Sequence, residues 1–314
     1  MKHNLRITLL LLFLFVASQV TGLFLISRDA EIGEEITPDN KTIIVVRHDE
    51  TAIGDRPNVE GYSSLLYILG AVAIGTLLIL MIIRFNKTMV WRGWFFLAVF
   101  LTLSISLGVL FKNKYVIWGT ALVLAFLKIS RFSSVLLHNI TEVLIYSGIA
   151  VLIVPLFSVF WAFVLLLVIS VYDMFAVWKS KHMVKMAKFQ FENSIFPGLM
   201  IPYSKGKIGK LKSKTKAVLR EDKAEKTIKT KANIAILGGG DIAFPLIFSG
   251  AVMESLIMNG LTKGAAFLQT SIITFTTTLA LFLLFLYSKK KHYYPAMPFV
   301  TLGCLVGYFI VFLL

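Results

Sequence analysis

Four of the seventeen acidic residues in this 314-residue chain lie where acids are expensive. Nine of the others fall between residues 28 and 61 and four between 179 and 232, both polar segments. Glu142, Asp173, Asp241 and Glu254 remain, in or beside long apolar stretches. A charged side chain in hydrocarbon is costly and marks a functional site or a polar partner. Glu142 and Glu254 fall near the ends of their stretches and are expected to reach the membrane interface. Asp173 and Asp241 sit deeper. Asp173 comes about five residues before its stretch meets a basic loop, roughly 8 Å in at helical rise. Asp241 comes about eight residues into the next stretch, roughly 12 Å in from the same side. Two acids at similar depth on consecutive spans can meet in the bundle interior. Neighbouring carboxyls do not both ionise cheaply, so one keeps a proton and the other does not. That pairing supplies a general acid and a general base, enough to activate water against an amide carbonyl without a metal or organic cofactor. The same pair also fits a polar tie between helices, or a proton relay in a transporter.

The residues around these acids are equally unusual for a membrane segment. Gly238-Gly239-Gly240 precedes Asp241 and Pro245 follows it. Three glycines weaken a helix and let another backbone approach the acid. Such irregularity is tolerated at membrane depth where it lines a cavity, although glycines also serve plain helix packing. Pro295-Ala296-Met297-Pro298 opens the last apolar stretch from the same side. Its prolines leave backbone groups without helical partners, and they equally suit an ordinary first helical turn.

The elements that must carry these residues follow from composition. The chain is 57% hydrophobic and 16% charged, with mean hydropathy +0.80. A soluble domain of this length could not hide so much apolar surface, so the bilayer is its solvent. Nine apolar stretches stand out, at 7–27, 62–83, 89–111, 115–127, 142–157, 159–178, 233–257, 264–288 and 294–314. The fourth and fifth are short, and Pro155 falls between the fifth and sixth. Backbone in lipid must satisfy its own hydrogen bonds, so helices are expected. Barrel-like alternation is absent. The expected fold is an all-α membrane protein with nine transmembrane helices.

Charge sets the expected orientation. With the N-terminus inside, the inner segments hold 25 of the 32 Lys and Arg and the outer segments 7, with 15 in loop 179–232 alone. That asymmetry is a strong positive-inside signal, placing the C-terminus outside. It also accounts for the net charge of +15 through anionic lipid rather than nucleic acid. Residues 1–22 resemble a cleaved signal peptide in part, but the apolar run is long for one. In loop 28–61, Ile43–Val46 suits a short strand, and Asn40-Lys-Thr42 is a glycan acceptor sequence. In loop 179–232, the stretch 194–204 is apolar but broken by Pro197, Gly198 and Pro202. Lys205–Lys231 is expected to be solvated. One cysteine, Cys304, excludes an internal disulfide, and the five histidines show no metal-ligand spacing. No P-loop or G-x-G-x-x-G pattern supports nucleotide binding.

Taken in order, Tyr172-Asp173 in the sixth stretch, Gly238-Gly239-Gly240-Asp241 in the seventh and Pro295-Ala296-Met297 at the ninth resemble the presenilin and signal peptide peptidase family of intramembrane aspartyl proteases. The nine-span plan and the long sixth-to-seventh loop resemble it too. The resemblance implies an aspartic endopeptidase of the Gly-x-Gly-Asp type, with Asp173 and Asp241 as the catalytic pair and no cofactor. It implies that Tyr172, Gly238, Gly239, Gly240, Pro295, Ala296 and Met297 shape the site and contact substrate. The family's usual third residue in the last motif is Leu; Met297 is close in volume and flexible. The charge split matches the presenilin orientation and not the inverted signal peptide peptidase one. The chain divides accordingly into 1–178, a six-helix part ending in the first Asp; 179–232, a basic cytoplasmic loop; and 233–314, a three-helix part.

The implied partners are transmembrane-helix substrates and the lipid bilayer, without nucleic acid; a homo-oligomer remains open. Small size and short loops suggest a multi-pass protein of a microbial plasma membrane. The stretch 194–204 is a candidate for gating or self-cleavage, and equally for an interfacial segment. Three rivals stand beside the protease: a proton- or cation-coupled transporter using the two Asp, a prepilin-peptidase-type enzyme at the membrane surface, and a scaffold without chemistry.

Overall fold

The computed structural model describes residues 5–36, 42–59, 61–85, 87–130, 134–180, 186, 189–190, 196–202, 234–288 and 294–314. Lys205–Lys231 and residues 40–41 of the glycan acceptor sequence lie outside the described residues, as does most of loop 179–232.

Nine α-helices occur among the described residues: α1 (Leu5–Asp29), α2 (Tyr62–Arg84), α3 (Thr88–Leu110), α4 (Lys114–Ile129), α5 (Val135–Ile153), α6 (Val159–Phe175), α7 (Gly240–Met258), α8 (Lys263–Tyr287) and α9 (Met297–Leu313). Seven of the helical segments are long and apolar enough to cross a membrane; α4 and α9 are shorter. The helices start where local chemistry allows. Ser134 accepts the Leu137 N–H and begins α5 seven residues before the apolar run that marked it. Asn113 and Thr262 cap α4 and α8 in the same way. α1 is built into the bundle, with Phe15, Leu23 and Ile26 fully buried.

The all-α expectation needs a correction, because two short antiparallel hairpins accompany the helices. β1 (Ala30–Ile36) pairs with β2 (Thr42–His48) beyond α1. The apolar patch Ile43–Val46 indeed forms β2, whereas the acidic β1 had no apolar signal. β3 (Gly198–Pro202) pairs with β4 (Ile234–Gly238). The seventh span was expected to begin at 233. It begins at Gly240, because Ile234 and Ile236 favour extended backbone and the glycines disfavour helix. The ninth begins at Met297, after Pro295.

α7 is the centre of the bundle, touching α1, α5, α6, α8 and α9. Most of α7 is buried, whereas in α2 only Ser64 and Ile68 are. Small residues permit the close crossings that membrane helices need in place of a hydrophobic drive. A Cβ on Gly307 would sit 2.6 Å from the Ile273 Cα, so α8 and α9 meet backbone to backbone there.

Candidate active site

Asp173 lies in the last turn of α6 and is 6% exposed. Its carboxylate accepts the Met297 N–H at 3.2 Å and also the Ala296 N–H. These amides are available because Pro295 and Pro298 flank the start of α9 and the first helical turn leaves its N–H groups without internal partners. Beside Asp173, Ser170 and Thr301 share a hydrogen bond of 2.6 Å that ties α6 to α9. The Pro295-Ala296-Met297 segment therefore docks on the first acid through its backbone, with Pro295 and Met297 buried.

Asp241 lies one residue inside α7, directly after β4. Its carboxyl accepts the Gly238 N–H and is close enough to Asp173 for the two charges to act on each other. The helix around it is loosened. Pro245 lacks the N–H that would bond the Asp241 carbonyl. The next carbonyl, of Ile242, accepts an N–H from the Gln19 side chain of α1 at 2.9 Å. A Cβ on Gly239 would sit 2.7 Å from the Tyr146 hydroxyl of α5, so only glycine allows that approach. Tyr172 is 38% exposed, and Gly240 is exposed.

The structure thus brings Asp173, Asp241, Gly238, Ala296 and Met297 into one neighbourhood. Sequence reasoning passed over Gln19, Tyr146, Ser170 and Thr301. A polar side chain inside an otherwise apolar span was the available signal for each of them. No group of three His, Cys, Asp or Glu side chains among the described residues could hold a metal ion.

Glu142 and Glu254 depart from expectation. Both are buried inside the protein. Glu142 is 1% exposed and forms a 2.6 Å ion pair with the buried Lys128 of α4. Glu254 is buried in α7, with its Oε1 3.2 Å from the His48 Nε2. A buried carboxylate with a cation at hydrogen-bond distance avoids the cost that snorkelling would otherwise relieve.

The family model of signal-peptide peptidase and presenilin aspartyl protease matches residues 44–314. The chain belongs to this family. Its members are intramembrane aspartyl proteases, and this presenilin and signal peptide peptidase homologue is an integral, multi-pass membrane protein. Two solved structures of a presenilin family intramembrane aspartate protease share its fold. The one in space group C222 has a TM-score of 0.58 at 15% identity, over 98% of each chain. The one in space group P2 has a TM-score of 0.59 at 16% identity, over 96% of each chain. No curated protein sequence is significantly similar to this presenilin and signal peptide peptidase homologue.

Proposed function

We propose that this chain hydrolyses peptide bonds within or near the transmembrane helices of other membrane proteins, using Asp173 and Asp241 as a catalytic dyad of the Gly-x-Gly-Asp type. The observation that supports this most directly is that the two carboxyls fall within range of each other's charge, one held by the Pro-Ala-Met backbone and the other by Gly238. Family membership favours hydrolysis over cation-coupled transport.

A substrate helix hides its carbonyls in its own hydrogen bonds, so it must unwind before water can attack. The β3–β4 hairpin leads straight into Asp241 and offers an edge to which an unwound segment adds as a strand. One Asp, deprotonated, takes a proton from water as the oxygen attacks the scissile carbonyl carbon. The other, protonated, donates a hydrogen bond to the carbonyl oxygen. Collapse of the tetrahedral intermediate breaks the C–N bond, the nitrogen gains a proton from the dyad, and a carboxylic acid and an amine leave. The two acids titrate as a pair, so the roles belong to the dyad rather than to a fixed member. Tyr172, Gly238, Gly239, Gly240, Pro295, Ala296 and Met297 shape this site. Nine spans, an inner N-terminus and an outer C-terminus complete the reading. It places the enzyme in the plasma membrane of a microbe, with the site near the inner face.

The test uses protein purified in detergent with a model transmembrane substrate. Asp173→Asn and Asp241→Asn should each abolish cleavage and weaken photo-crosslinking by a transition-state-like aspartyl protease inhibitor. Cleavage retained by either variant would defeat the dyad.

A further inference from the structure

Outside the acid pair, the described residues hold a second buried polar cluster, on one face of α5. His138, Asn139, Glu142 and Tyr146 recur at helical spacing and all point toward the β3–β4 hairpin and the glycines behind it. Asn139 donates to the Met200 carbonyl at 2.9 Å and accepts the Met200 N–H at 3.0 Å. The His138 Nε2 lies 2.9 Å from the Gly198 carbonyl oxygen. The Glu142 Oε2 accepts the Gly198 N–H at 3.2 Å and also the Tyr146 hydroxyl. Lys128 of α4 donates to the Glu142 Oε1 at 2.6 Å and to the Thr141 hydroxyl at 3.0 Å.

Both backbone groups of Gly198 and both of Met200 are therefore taken by side chains of one helix. In an antiparallel strand the N–H and C=O of a residue point to the same side and alternate along the chain. Leu199 and Ile201 must then face β4, which makes Leu199–Leu237 and Ile201–Ala235 the hydrogen-bonded pairs. On β4, the backbone groups of Ile236 and the carbonyl of Gly238 point away from β3. The face of α5 does what a third strand would do on the β3 side. It fixes where β3 sits along α5, and the pairing passes that position through β4 to Asp241, three residues beyond Gly238.

We infer that His138, Asn139 and Glu142, with Lys128 beneath Glu142, are positioning residues that stand in for an edge strand. They clamp β3 so that the open edge of β4 presents a substrate strand to the acids in one register. Burying a Lys–Glu pair only to tie α4 to α5 would be a poor way to gain stability, since apolar residues of that size do as well or better. A carboxylate that also holds a backbone N–H of β3 gives the pair a geometric role. The inference rests on the protease reading for its consequence in cleavage, but not for the clamp itself.

The experiment compares the wild-type protein with Asn139→Leu and Glu142→Gln in detergent. Leu removes both bonds to Met200 at similar volume, while Gln keeps an acceptor for the Gly198 N–H and loses the charge that faces Lys128. Amide exchange at Leu199 and Ile201, without substrate, should rise about tenfold in Asn139→Leu and less in Glu142→Gln. On a model transmembrane substrate, kcat should fall about tenfold in Asn139→Leu with KM moving little, and products should spread to neighbouring bonds. Product masses report register, which a merely structural tie between helices would leave alone. Unchanged exchange in both variants, or a lower rate with the same single cleavage site, would overturn the clamp. Failure of the wild type to cleave would instead sink the protease reading, and the exchange comparison would still decide the clamp.

Discussion

At the scale of single residues, the site depends on backbone N–H groups that side chains around them leave available. Asp173 binds the amides of Ala296 and Met297 rather than their side chains. The departure of Met297 from the family's usual Leu should therefore matter little. Met297 is 3% exposed and flexible, and swaps between Leu and Met conserve volume. Met297→Leu should keep kcat/KM within about tenfold of the native value, since such swaps cost under about 1.5 kcal/mol. A drop beyond about tenfold in a cleavage assay would show that the side chain itself contacts substrate. Asp173 and Asp241 were legible from residue type alone, because an acid in an apolar run has few bland explanations. Gln19 was not, since one amide in a 25-residue apolar helix predicts no partner. Only the packing of α1 against α7 shows that it holds the carbonyl next to Asp241.

At the scale of elements, the two hairpins are where pattern and structure part. The β1–β2 hairpin is held by charge. His48, at the end of β2, lies 2.8 Å from Asp29 and 3.2 Å from Glu254, and Arg56 also pairs with Asp29 at 2.7 Å. Burial alone would pull the imidazole down, but hydrogen bonds and charge from Asp29 and Glu254 together raise it from 6.5 to about 9. A value raised in the folded state means that the stabilisation is complete below about pH 6.5 and fades as pH rises through about 9. By linkage such a shift is worth up to about 3 kcal/mol. Amide protection across Ala30–Ile36, corrected for intrinsic exchange, should fall over that window in the native protein. In His48→Gln it should be low and flat. Protection independent of pH in the native chain would contradict the ion triad. The β3–β4 pair is held by hydrogen bonds from α5, and Gly198 at its start needs its glycine. Its φ of 152° puts a Cβ 2.5 Å from the Leu237 carbonyl. The prolines and glycines at 197–202 and 238–240 announced broken helix. They did not announce a pairing between segments thirty residues apart, because strand partners are chosen by contact and not by local pattern.

At the scale of the whole molecule, the charge asymmetry carries a prediction of its own. Cys304 is fully buried in α9, so the native protein offers no accessible thiol background. In intact cells, Glu50→Cys in the outer loop should react with a membrane-impermeant maleimide. Lys214→Cys in the basic loop should react only after permeabilisation. The reverse pattern would overturn an inner N-terminus and place the acid pair near the outer face. The same distribution of 25 against 7 cations is what sets presenilin-like orientation apart from its inverse.

The amino-acid order alone determined that the chain belongs in lipid, where its apolar runs lie and which two carboxylates are out of place, and loop charge set the orientation to expect. Each of these follows from local quantities: apolar run length, loop charge, and the cost of a charge in hydrocarbon. Tertiary structure alone decided that Glu142 and Glu254 are buried in ion pairs rather than wetted at the interface. It also decided that Asp173 rests on the Ala296 and Met297 amides, and that α5 side chains hold the backbone of β3, the partner of the strand leading to Asp241. Those facts depend on groups more than fifty residues apart meeting at hydrogen-bond distance, as Gly198 and Glu142 do. Such meetings are settled by how the helices pack, which no spacing along the chain encodes.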